Sequence, residues 1–140
     1  MKTLGWIAGM LLLALGALVA AARGGFLETD PAEAEARYGG PPSKFVDVDG
    51  TRIHYRDEGS GPVLVMLHGS RASLHQWDGW VAEFGGRFRT VRLDLAAHGL
   101  TGPDGRNDVT AERQIDQIEG LVRQLGLGRL VLVGTSSGST

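Results

Sequence analysis

Apolar and polar positions change period several times along this chain. Residues 44–59, KFVDVDGTRIHYRDEG, alternate apolar and polar around Asp49-Gly50. That dipeptide between alternating runs is a strong hairpin signal, so antiparallel strands are predicted over 44–48 and 51–57. After a turn at 59–62 the alternation ends. PVLVMLHG (62–69) is continuously apolar, as a strand covered on both faces should be. Leu74, Trp77, Val81 and Phe84 then recur at spacings of three and four, which predicts an amphipathic helix closed by Gly85-Gly86. RTVRLDL (89–95) is a second apolar strand. A loop leads to Thr110, a predicted N-cap, and Ile115, Ile118, Val122 and Leu125 mark a second helical stripe ending at Gly126. RLVLVG (129–134) is the third apolar strand. Strand–helix–strand–helix–strand with connections of this length predicts an α/β domain: a predominantly parallel sheet, right-handed crossovers and flanking helices.

A different pattern occupies the start. No residue from Thr3 to Ala22 is charged, and LGWIAGMLLLALGALVAA is almost wholly apolar. Twenty helical residues span roughly 30 Å, the thickness of a bilayer's hydrocarbon core. Lys2 and the Ala20-Ala21-Ala22 run suit a cleaved secretory signal. The length of the run, with Trp6 near one edge and Arg23 at the other, suits an uncleaved anchor better. Either reading puts the body outside the cytoplasm or against a membrane, with Lys2 inside and Glu28, Asp30, Glu33 and Glu35 outside. The expected organisation is therefore an anchor or signal peptide at 1–23, a linker at 24–43 and the α/β domain at 44–140.

Composition narrows the function classes. Charged residues are 21% of the chain, the formal net charge is -2, and there is no basic stripe, so nucleic acid is not an expected partner. There is no cysteine, and the four histidines lack metal-ligand spacing. The phosphate-binding and dinucleotide-binding glycine fingerprints are absent. No metal or cofactor is expected.

In a parallel α/β sheet, ligands bind outside the carboxyl ends of the strands. Three segments reach that edge: His68-Gly69-Ser70, Asp94 to Gly99, and Gly134-Thr135-Ser136-Ser137-Gly138. The last is G-x-S-x-G directly after a strand. A serine there sits in a strained strand-to-helix turn, and side chains two residues to either side collide unless very small. Such a turn lifts the Ser136 hydroxyl above the sheet and aims the following amides at developing negative charge. His68 reads as a structural imidazole beneath its loop, not as a base. Asp94 reads as an acceptor for loop amides more readily than as half of a dyad with His98. His54 and His75 read as surface or half-buried residues, and Trp77 and Trp80 as helix packing.

Across residues 44–140 the chain resembles the N-terminal half of an α/β-hydrolase. The hairpin, the strand ending in His68-Gly69, the helix with Trp77, the strand ending in Asp94 and the serine elbow follow that family's order. The resemblance implies Ser136 as nucleophile of an acyl-enzyme mechanism on a small ester-type substrate. It also implies an oxyanion hole built from the amides of Ser137 and Ser70. Haloalkane dehalogenases and epoxide hydrolases of this layout use a carboxylate at the elbow, so a serine points to carboxylesterase, lipase-like or related acyl chemistry. Three departures stand out. Ala96-Ala97 replace the Pro-Gly of the family's Asp-x-Pro-Gly-x-Gly segment, and Ser139 replaces a glycine after the elbow. The family's acid and histidine, which come later in chain order than the serine, have no counterpart before Thr140. The expectation is a fragment truncated after the elbow with little turnover of its own; the alternative is an inactive product or pseudoenzyme with at most a binding role.

Overall fold

A computed structural model describes residues 2–24, 29–84 and 86–139; the side chains of residues 2–5 and 8 are outside that set. Glu28, linker residues 25–28, the helix-closing Gly85 and Thr140 therefore lie outside the described residues. The chain divides into two compact units, Met1–Glu33 and Ala34–Thr140.

The first unit is dominated by α1, Lys2–Arg23. Among the described residues no helix is long and apolar enough to cross a membrane, so neither the anchor nor the signal peptide gains support from the structure. The linker contains a short helix, α2, Pro31–Tyr38, whose start is capped by Asp30 Oδ1 accepting from the Ala32 amide at 2.9 Å. Farther along α2, within the second unit, Glu35 forms a two-bonded pair with Arg52 (2.7 and 2.9 Å).

The second unit is built on a five-stranded sheet: β1 (Ser43–Val48), β2 (Thr51–Gly59), β3 (Val63–Leu67), β4 (Arg89–Leu93) and β5 (Leu130–Gly134). Their order across the sheet is β1-β2-β4-β3-β5. The hairpin turns on Asp49 and Gly50, both at positive φ (51° and 81°), the conformation that two-residue turns require. β3 is parallel to both β4 and β5, but β2 runs antiparallel to β4, from Tyr55↔Leu93 to Gly59↔Arg89. The sheet is thus mixed, not predominantly parallel. β2 extends two residues past its expected end and zips along β4, a long-range pairing that alternation within one strand cannot announce.

The apolar run of β3 is explained by its two faces. Val65 and Leu67 join a cluster with Ile53, Val91, Leu93 and Leu121, while Leu64 and Met66 point the other way onto Trp77, with Val81 and Phe84 beside them. The helix expected over the second face is divided. A 3₁₀ turn at Leu74–Trp77 precedes the short α3, Asp78–Phe84. On the first face lies α4, Ala111–Gln124, with Thr110 capping it as expected and Gly126 at φ +60° just past its end.

Three residues of the expected α4 stripe, Ile118, Val122 and Leu125, pack against the core, and polar neighbours are buried beside them. Arg113, Gln117, Gly120 and Leu121 are buried, while Ile118, Val122 and Leu125 are partly buried and Ile115 is exposed. The buried polar residues of the helix have buried partners. Asp104 Oδ1 accepts from Arg113 Nε (2.7 Å), Gln117 Nε2 (2.7 Å) and the Thr51 hydroxyl (3.0 Å). Burial alone would raise the Asp104 carboxyl; the Asp108 and Arg106 amides, Arg113 and Thr51 together hold it far below the usual range. Gly120 lets the helix approach β1, since a Cβ there would meet Val48 Cγ1 at 2.3 Å. β5 is an edge strand of the sheet. With β3 as its sole neighbour among the described residues, it leaves Val131 and Leu132 exposed.

Candidate active site

The tip of the loop after β5 is conformationally strained at the expected residue. Ser136 has φ +50°, where a non-glycine residue is uncommon. The flanking glycines are required by contact. A Cβ on Gly134 would lie 1.9 Å from the Gly138 carbonyl oxygen, and one on Gly138 would lie 2.6 and 2.7 Å from the carbonyl oxygens of Leu67 and His68. Every one of those obstacles is backbone and cannot rotate away. A short 3₁₀ turn, Ser136–Ser139, follows at once, tied by Ser139 Oγ donating to the Ser136 carbonyl at 2.6 Å. Serine at position 139 thus makes a bond that the glycine of the resembled pattern could not.

The loop after β3 lies directly against this elbow. A Cβ on Gly69 would stand 3.1 Å from Ser136 Cβ and 3.2 Å from the Thr135 carbonyl oxygen. The Ser70 and Ser137 hydroxyls are hydrogen-bonded at 3.1 Å, so the two residues expected to supply oxyanion-hole amides are side by side. Beneath them His68 is fully buried and spends both ring nitrogens on backbone. Nδ1 donates to the Gly69 carbonyl (2.8 Å) and Nε2 accepts from the Leu95 amide (3.0 Å). The Leu95 N–H fixes the tautomer, because a second proton at Nε2 would face it. Burial pushes the His68 pKa below its ordinary 6.5. The unfolded chain then binds a proton at higher pH than the folded one, so this contribution to stability is complete above about pH 6.5 and is lost as pH falls toward the folded value. Urea midpoints measured from about pH 7.5 down to about pH 5 should therefore decline in the wild type and decline less in His68→Gln.

Asp94, at the end of β4, is buried and accepts three bonds: from Leu74 N (2.7 Å), Leu100 N (2.8 Å) and His54 Nδ1 (2.7 Å). Burial alone would raise this carboxyl; His54 and the two amides hold it below its usual value. His98 is not its partner, bonding instead to the Ala96 carbonyl at 2.9 Å and packing 5.1 Å from the His68 ring. His54 is buried, which corrects the expectation of a surface or half-buried residue. Asp94 compensates the cost of enclosing its imidazole, though Nε2 has no partner among the described residues. His75 is half-buried and bonds Asp78 Oδ2 at 2.9 Å. Ala97 takes φ +61° where the resembled pattern places glycine.

A family model for the alpha/beta hydrolase fold matches residues 62–140, more than half of the chain, including the serine turn and the loops after β3 and β4. This protein belongs to the α/β-hydrolase family. Among its curated relatives is the 2-(acetamidomethylene)succinate hydrolase of Mesorhizobium japonicum, 31% identical over 97 residues, which cover 69% of this chain and 34% of the relative. The pimeloyl-[acyl-carrier protein] methyl ester esterase of Nitrosomonas europaea is 40% identical over 67 residues, 44% of this chain and 27% of the relative. Among solved structures, an epoxide hydrolase from Vigna radiata superposes with a TM-score of 0.64 at 29% identity, covering 69% of this chain and 32% of its own. The chain thus spans about a third or less of the length of these relatives.

In this α/β-hydrolase the described residues assemble the serine turn and the loop that faces it. Among them no histidine is hydrogen-bonded to the Ser136 hydroxyl, and no group of three or more metal-ligating side chains occurs. A cavity of about 530 Å³ opens below the elbow between β5 and α4, lined by Leu67, Leu95, Ile115, Ile118 and Leu132 among others. Gly134, Ser137, Gly138 and Ser139 of the turn also line it, and Ser136 does not. Sequence reasoning missed two residues here. His54 stands in an ordinary alternating strand with nothing to mark Asp94 as its partner, and Gln76, whose side chain bonds the Gly69 amide and Thr135 Oγ1, precedes Trp77 with no local signature.

Proposed function

We propose that this chain carries the nucleophile and oxyanion hole of a serine hydrolase that acts on ester or related acyl substrates. The observation that carries the reading is the serine at the left-handed tip of a turn whose flanking glycines admit no Cβ. An elbow so constrained presents one side chain, and here that side chain is a hydroxyl, not a carboxylate. Ser136 Oγ attacks the carbonyl carbon, giving up its proton to a general base. The tetrahedral oxyanion accepts hydrogen bonds from the Ser70 and Ser137 amides; the alcohol departs, and water then cleaves the acyl-serine. The relatives include both an epoxide hydrolase and a methyl ester esterase, and the serine supports the latter chemistry. His68 is not the base, because both its nitrogens are engaged with backbone.

The test is a substrate comparison on the product of the complete reading frame: a p-nitrophenyl ester, a terminal epoxide and a primary alkyl halide. Ester hydrolysis without epoxide opening or halide release is the expected result. Epoxide or halide turnover that survives Ser136→Ala would overturn the proposal. Turnover of none of the three would leave the binding-only pseudoenzyme as the better description.

A further inference from the structure

We propose that Gln76 is a positioning residue that holds the oxyanion loop in register with the nucleophile elbow, an inference that rests on Ser136 being the nucleophile. Gln76 is an exposed side chain on the 3₁₀ turn Leu74–Trp77. An exposed glutamine ordinarily stays solvated and keeps its rotamer freedom, which is costly to surrender. Here its amide reaches two other segments at once. Oε1 accepts from the Gly69 amide at 3.3 Å, and Nε2 donates to Thr135 Oγ1 at 2.8 Å. The assignment of the two ends follows from chemistry, since a backbone N–H can only donate and so must face Oε1.

The bridge has a rigid base. Leu74 and Trp77 are buried on either side of Gln76, and the Leu74 amide is fixed by Asp94 Oδ1 at 2.7 Å. Gly69 and Thr135 immediately precede Ser70 and Ser136. One side chain thus anchors the residue before a proposed oxyanion donor and the residue before the proposed nucleophile. Occupying the Gly69 amide also leaves Ser70 as the next amide along the loop. Loss of the bridge should let the two loops shift relative to one another, and displacements of about 1 Å near reacting atoms can cost up to 10²-fold in rate.

The decisive variants are Gln76→Met, which keeps length and removes both bonds, Thr135→Val, and the double mutant, made in the product of the complete reading frame. Backbone amide exchange in peptides covering residues 68–71 and 134–139 should accelerate about tenfold in Gln76→Met while the rest of the sheet is unchanged. For a p-nitrophenyl ester, kcat should fall about tenfold with KM nearly constant, and the double mutant should be no worse than the poorer single one. Exchange unchanged from wild type overturns the bridge whatever the activity does. Accelerated exchange with kcat unaffected, or with additive losses, overturns the positioning role. Accelerated exchange in a protein whose wild type shows no Ser136-dependent hydrolysis overturns that role together with the nucleophile assignment, while the physical bridge stands.

Discussion

Replacing Ser136 with alanine is expected to reduce ester hydrolysis by the complete gene product roughly 10⁴-fold or more, with little change in stability. The size follows from the role. Without Oγ no acyl-enzyme forms, and what persists is the modest stabilisation that an oxyanion hole gives to direct attack by water. Stability should hold because Ser136 contributes strain to the fold. Its φ of +50° is as costly for alanine as for serine, and no hydrogen bond from its hydroxyl to a described residue is lost. Initial rates on a p-nitrophenyl ester, paired with urea denaturation of both proteins, separate the two effects. A drop of only a few fold would place the nucleophile elsewhere.

Gly134→Ala should produce the largest structural effect, about 3 kcal/mol of destabilisation by urea denaturation. The added methyl would fall 1.9 Å from the Gly138 carbonyl oxygen and 2.5 Å from its carbon, so the elbow must open or β5 must shift. Because β5 pairs with β3 through Leu67↔Gly134, a shift there would also disturb the strand that leads into His68 and Gly69. Gly102→Ala is the matched control. A Cβ at that position meets nothing within 4 Å, and the expected change is under about 0.5 kcal/mol.

The features legible in the sequence are those whose cause is local. Asp49-Gly50 announces its turn because two adjacent residues must take positive φ, and Thr110 announces α4 because its hydroxyl accepts from the Arg113 amide three residues on. The elbow is legible for the same reason: the collisions that demand glycine at 134 and 138 arise within five residues and the adjoining strand end. What escaped depends on partners far along the chain. Arg113 and Gln117 lie outside the apolar stripe of α4, yet Asp104 and Thr51 give them buried partners. His54 and Asp94 are 40 residues apart and meet because β2 runs beside β4. Gln76 became part of the site through its contacts with Gly69 and Thr135, which no spacing encodes. Hydrophobic periodicity reports which side chains avoid water; it is silent on polar side chains that leave water in one another's company.

The most direct measurement is to trap the intermediate. The complete gene product would be mixed with a slowly deacylating ester, quenched in acid, and its mass and peptide map recorded. A single acyl group on the peptide containing Ser136, absent in Ser136→Ala, is the result this account predicts. Turnover of the ester with no adduct at Ser136, or with the acyl group on another residue, would contradict it.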